Sequence, residues 1–191
     1  MAFTATVRAV KLHDPGLDRP EYVMHPYRVS IAFLGAAWGA LDVEVSDPEI
    51  DSHAHARKEI DGELVKFGAQ FGFGDLQPVE LVELEYQIAQ KLHAVTDPAY
   101  VRAHDLVDLQ LLWNASPDLA NLQRLCMRTF DWRRQQAWPP LPICPMDGWE
   151  LAYADARAET EVNGKTPVLA DVGSARDWLG QIIETISSTE T

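Results

Sequence analysis

Two charged residues fall where apolar ones are expected. Between residues 82 and 95, Leu84, Ile88, Leu92 and Val95 recur at i, i+4, i+8 and i+11, the spacing of one helix face. Lys91 lies seven positions after Leu84, in the middle of that stripe, whereas His93 falls on the opposite side. An ammonium on an apolar face is costly unless it meets an anion or reaches water. One reading is a lysine with a buried stem whose head snorkels to solvent. The other is a lysine presented into a cleft for a phosphate or carboxylate. The next stretch, 99–113, repeats the anomaly with opposite sign. Asp105 is four before Leu109 and seven before Leu112, so it faces inward with them and with Trp113. Arg102 is seven before Leu109, on the same side, and Asp108 lies at the stripe's edge. The joint Thr96-Asp97-Pro98 is short, so the two helices should pack antiparallel and bring Lys91 towards Asp105. Such a pair is either a buried ion pair, which says little about stability, or part of a functional site.

The elements around these helices follow from periodicity. Residues 3–10 alternate as a strand, as do 27–34, with Tyr27, Val29, Ile31 and Phe33 on one face. In 40–45, Leu41, Val43 and Val45 oppose Asp42 and Glu44. The last two strands should form a hairpin, with Gly35 and Gly39 in a loop longer than the minimal turn. Residues 11–26 are turn-rich around Asp14-Pro15-Gly16, 46–62 have no clear pattern, and 68–78 read as a glycine-rich connector ending at Pro78. Helices are expected near 82–95, 99–113, 116–130, 145–160 and 174–188, with WPPLPICP (138–145) as a linker. Strands first and helices after make an α+β fold, antiparallel strands followed by a helical bundle, with a strand region over 1–78 and a helical region over 79–191.

Composition narrows the function. A net charge of −13 opposes non-specific binding to duplex DNA, which needs clustered cations; the densest cluster is Arg124, Arg128, Arg133 and Arg134. Local contact with one RNA end remains compatible with an acidic chain. No segment approaches the ~18 to 20 apolar residues of a membrane helix, and the first ten residues are not a signal peptide, so a cytoplasmic protein without membrane contact is expected. Cys126 and Cys144 match no zinc or CxxC spacing and read as idle thiols. His53 and His55 lack a third metal ligand at a sensible spacing. Trp132 and Trp138 beside Arg133 and Arg134 could stack on bases, but such residues are more often packing residues.

The segment PVELVELEYQIAQKLHAVTDPAYVRAHDLVDLQLL (78–112) resembles the signature of the AbiEii/AbiGii nucleotidyltransferase toxins. That pattern is a Glu-x-Gln-Ile-Ala-x-Lys-Leu-x-Ala helix, then an Arg and an Asp-x-x-Asp on the next helix. Here these are Glu85, Gln87, Ile88, Ala89, Lys91, Leu92 and Ala94, then Arg102, Asp105 and Asp108. The hairpin YRVSIAFLGAAWGALDVEV is similar to the family's paired strands, with Asp42 the candidate for their acidic residue. The resemblance implies a DNA polymerase β-type nucleotidyltransferase core with a helical extension. It also implies magnesium on strand carboxylates (Asp42, with Glu44), a nucleoside triphosphate, Lys91, Asp105 and Asp108 as catalytic residues, and Arg102 on the substrate. The family's Gly-Ser loop and Asp-x-Asp are expected ahead of the hairpin, and residues 1–26 contain neither.

A truncated, nucleotidyltransferase-like toxin of a toxin–antitoxin or abortive-infection system is therefore expected, with weak or no activity as an isolated chain. Magnesium and nucleotide are expected only with a complete active site. The alternative is a non-catalytic module that binds an antitoxin, RNA or a partner subunit. An antitoxin, a partner chain and tRNA are the implied partners. The open edge of the strand pair calls for cover by residues 3–10, by another chain or by a homodimer mate.

Overall fold

The computed structural model describes residues 2–11, 24–50, 52, 56–141, 147–162 and 165–189. The turn around Asp14, the His53/His55 pair and Cys144 lie outside these residues. The chain divides into two compact units, Met1–Asp51 and Ser52–Thr191.

The first unit is an antiparallel meander of β1 (Phe3–Ala9), β2 (His25–Phe33) and β3 (Ala36–Val45), in the order β1-β2-β3. The 3–10 strand thus covers one edge of the hairpin. The hairpin turn is tighter than expected. It consists of Leu34 and Gly35, both at positive φ (50° and 83°), and Gly39 belongs to β3. Such a two-residue turn matches the strands' right-handed twist, and positive φ is cheap for Gly35. Ile31 faces Gly39 while Ala32 faces Ala37, so β3 carries one extra residue, Trp38. Register then sorts the side chains. Val7, Val29 and Leu41 align across the strands, as do Tyr27 and Val43, and Arg28 opposite Asp42 marks the polar face. The apolar face is open, with Val7 63% and Leu41 57% exposed.

The second unit opens with β4 (Arg57–Glu59), α1 (Gly62–Gln70) and β5 (Val79–Leu81), with β4 and β5 paired antiparallel. The sequence shows no clear pattern over 46–62 and a connector over 68–78, so none of these three elements is expected from it. The missed signal is a cap: Asp61 accepts the backbone N–H groups of Glu63 and Leu64. The helical region follows as α2 (Leu84–Val95), α3 (Ala103–Trp113), α4 (Leu119–Arg133), α5 (Trp149–Ala158) and α6 (Val172–Ser187). Among the described residues none is long and apolar enough to cross a membrane.

Helix α2 lies at the centre, against both α3 and α4. Ile88, Ala89, Leu92 and Val95 are fully buried, and Tyr86, His93 and Glu85 nearly so. His93 therefore does not face solvent, as a one-sided amphipathic helix would predict. It meets Phe130 of α4 edge-on at 4.9 Å, because α4 covers this second side of α2. Each fully buried aliphatic side chain contributes ~1.5–3 kcal/mol relative to exposure. Cys126 is a buried free thiol, and burial pushes its pKa up, away from reactivity.

Polar side chains fix the bundle's register. Glu85 accepts the N–H of Asp118 at 2.9 Å, and Asp118 caps α4 through Ala120 and Asn121. Gln110, buried on α3, donates to Leu106 O and to the Tyr153 hydroxyl, and accepts Leu169 N–H at 2.8 Å; Tyr153 in turn donates to Leu169 O. Gln110→Ala strands the Leu169 N–H and removes one partner of Tyr153. We expect a loss of ~2–4 kcal/mol in urea unfolding, with α5 and the 165–171 segment losing amide-exchange protection first.

Candidate functional site

The site grows from α2 and α3. Asp105 and Asp108 stand three residues apart on α3, and this spacing puts both carboxylates on one helix face. The Lys91 ammonium reaches across from α2 and donates to both: 2.9 Å to Asp105 Oδ1 and 2.6 Å to Asp108 Oδ2. The three side chains retain 27%, 19% and 45% of their exposure, so the cluster is a half-buried one open on the Asp108 side. Lys91 neither snorkels freely into water nor lies orphaned in the core.

Arg102 precedes α3, with its guanidinium 4.0 Å from Asp105 Oδ2 and 5.9 Å from the centre of the exposed Tyr100 ring. Two cations thus face two carboxylates. Any phosphate arriving here meets a neutral group and competes with Asp105 and Asp108 for Lys91. Burial alone would lower the lysine's pKa. Hydrogen bonds and charge from Asp108 and Asp105 outweigh burial and hold it above the ordinary value.

Asp42 and Glu44 lie in the first unit, two apart and therefore on the same face of β3. Asp42 is engaged by Arg28, whose Nη1 donates to both carboxylate oxygens at 2.9 and 3.1 Å. Both side chains are largely exposed, so the pair contributes little stability. Among the described residues, no three His, Cys, Asp or Glu side chains come together to hold a metal.

The other motif residues prove to be structural partners of α2. Glu85 anchors the start of α4, and Gln87 donates to Val82 O at 2.6 Å, closing the helix's own entry. Their roles were not legible from spacing, since both partners are backbone atoms of loop residues.

The family model described as nucleotidyl transferase AbiEii toxin, type IV toxin–antitoxin system, matches residues 40–182. No curated protein matches the chain. The match runs from within β3 to within α6. It takes in the Lys91 cluster and also the later helices, which the sequence likeness reached only in kind.

A lysine whose folded pKa exceeds its unfolded value contributes stability that is fully present below the ordinary value and is lost as pH rises through the raised one. Lys91→Met removes the ammonium from both carboxylates and leaves Asp105 with only the 4.0 Å contact to Arg102. It should cost ~1–2 kcal/mol at neutral pH for a half-buried cluster. The gap between wild type and variant should stay constant to about pH 10 and close above the ordinary lysine value of 10.5. Chemical denaturation across pH measures it; a gap that opens with rising pH contradicts the assigned pairing.

Proposed function

The chain belongs to the AbiEii nucleotidyl transferase toxin family, and we propose that its helical unit supplies the lysine–carboxylate limb of a nucleotidyl-transfer site. In this reading Lys91 binds the triphosphate of a nucleoside triphosphate. Asp105 and Asp108 hold the ammonium in place until the nucleotide arrives and then serve as catalytic carboxylates, and Arg102 contacts the substrate. The observation that carries the reading is the Lys91 ammonium held between two carboxylates one turn apart, open on one side. A buried pair with no access would support packing alone.

The family's metal dependence, in general terms, points to magnesium. Magnesium is commonly held by one or two carboxylates together with substrate phosphates and water. Asp42 and Glu44, side by side on one strand face, suit that donor set once Arg28 yields Asp42. When bound, the ion neutralises phosphate charge. Lys91 contributes fixed positive charge and Arg102 a forked donor for planar or anionic groups.

We propose further that residues 1–191 alone transfer nucleotides weakly or not at all. Alignment of the reacting groups supplies up to ~7–11 kcal/mol of catalysis. A phosphate-cradling glycine loop is one means of achieving it, and residues 1–26 contain no Gly-Ser loop. An antitoxin is the partner that a type IV system implies, tRNA the acceptor the family likeness suggests, and a partner chain or homodimer mate the way to complete the site.

The test combines the purified chain, magnesium, each labelled nucleoside triphosphate and total tRNA. We expect label transfer at or near background. Transfer restored by a second polypeptide and lost in Lys91→Ala supports a divided enzyme. Robust transfer by the chain alone, lost in Lys91→Ala, would falsify the claim of weak activity while upholding the site. Activity unaffected by Lys91→Ala removes the site. If no partner restores transfer, the non-catalytic module is left as the reading.

A further inference from the structure

We propose that the exposed face of α4 and the cavity at its carboxy end bind single-stranded nucleic acid, with arginines on the phosphates and one base against Trp138. In a chain of net charge −13, residues 119–134 hold four arginines and one acid, a local reversal of sign. Arg124, Arg128 and Arg134 are exposed. The first two stand one helical turn apart, ~6 Å along the axis. They form a cationic track on a rigid element, as binding to a flexible phosphate chain requires.

The track ends at a cavity of about 580 Å³, lined by Met127, Phe130, Asp131, Arg134, Gln136 and Trp138 among others. That volume suits a small planar ligand. Its aromatic wall is fixed: Phe130 is buried, and Trp138 packs on it edge-on at 5.2 Å and 68°. Gln136 is fixed as well, since its amide donates to His93 O at 2.6 Å, leaving the amide oxygen to accept a base amino group. A flat wall, amide and carboxylate acceptors and one guanidinium are the features that take a nucleobase.

The helix dipole sharpens the assignment. The carboxy end of a helix repels anions. The neutral base therefore belongs in the cavity, and the phosphates belong along Arg124 and Arg128, with the exposed Arg134 guanidinium offsetting that repulsion for the phosphate joined to the base. A base held there must leave its stack, so single strands are favoured over duplex.

This site is separate from the Lys91 cluster. Helix α2 packs against both α3 and α4. Lys91 reaches the α3 side, whereas His93 meets Phe130 and Gln136 on the other. The proposal therefore stands or falls independently of nucleotidyl transfer.

The experiment is fluorescence anisotropy of the full chain with labelled ten-nucleotide oligo-U, its deoxy counterpart and a duplex of the same length. We expect single strands to bind more tightly than duplex, with a slope of log K against log salt of about −2, corresponding to three phosphate contacts. Arg128→Glu/Arg134→Glu should weaken binding at least ~10-fold and flatten the slope by about 1.4. Trp138→Ala should weaken it ~10-fold without changing the slope. Lys91→Met should change neither. Equal binding of ribose and deoxyribose strands supports a backbone-and-base site, and a preference for ribose supports one that also reads the 2′ hydroxyl. Tighter binding of duplex overturns the proposal, as does binding unaffected by a folded Arg128→Glu/Arg134→Glu variant. Loss of binding in Lys91→Met alone does the same, as does retention of an acidic aromatic peptide but of no oligonucleotide. The double arginine variant changes only exposed side chains, so the proposal stays testable if Trp138→Ala fails to fold.

Discussion

A helix buried on nearly every side cannot carry polar groups without supplying each a partner, and α2 carries several. That constraint organises the second unit. Glu85 takes the Asp118 N–H, Gln87 the Val82 carbonyl, and Lys91 two carboxylates from α3. The His93 carbonyl takes Gln136, and Thr96 donates its hydroxyl back to Leu92 O at 2.7 Å. An unpaired buried polar group costs ~1–3 kcal/mol, and an unpaired charge more. The polar residues of α2 therefore fix where α4 begins and which face of α3 turns towards α2. The site is a by-product of that satisfaction: two carboxylates at i and i+3 are what one ammonium in a half-buried crevice needs.

The electrostatic organisation of the chain is segregated. Negative charge dominates the sequence, yet cationic groups are placed where they act singly or in a row. Lys91 is neutralised locally and kept protonated by its two neighbours. Arg124, Arg128 and Arg134 stand exposed, with Asp131 the one acid between residues 119 and 134. A guanidinium in water keeps its charge at every physiological pH, so the α4 face stays cationic where Lys91 is quenched. The two regions thus suit different ligands: one that must displace carboxylates, and one that approaches by long-range attraction.

The first unit follows a simpler rule. Strict alternation in three short strands gives one apolar and one polar face, and the Leu34-Gly35 turn with the extra residue at Trp38 sets which residues meet. Phe3 packs on Phe33 at 4.7 Å and on Trp38 at 5.6 Å, a small aromatic cluster that ties all three strands at the turn end. With three strands and one open apolar face, this unit sits near the lower limit for independent sheet stability.

The sequence by itself determined the order of elements, because local periodicity is a property of neighbouring residues. Strands near 3–10, 27–34 and 40–45 and five helices from about residue 82 are legible as periods of two and of 3.6, and the structure extends the second and third strands to 25–33 and 36–45. It also exposed Lys91 and Asp105 as charges on apolar stripes, since that conflict is written in spacing. Helix α1 was legible only through its Asp61 cap, a local signal. Two things were decided only by tertiary structure. The burial of His93 depended on α4 covering a second side of α2, which no single-helix pattern records. The joint clamp of Asp105 and Asp108 on Lys91 depended on how α3 rotates against α2. Periodicity fixes which residues share a face; only packing fixes which face meets which.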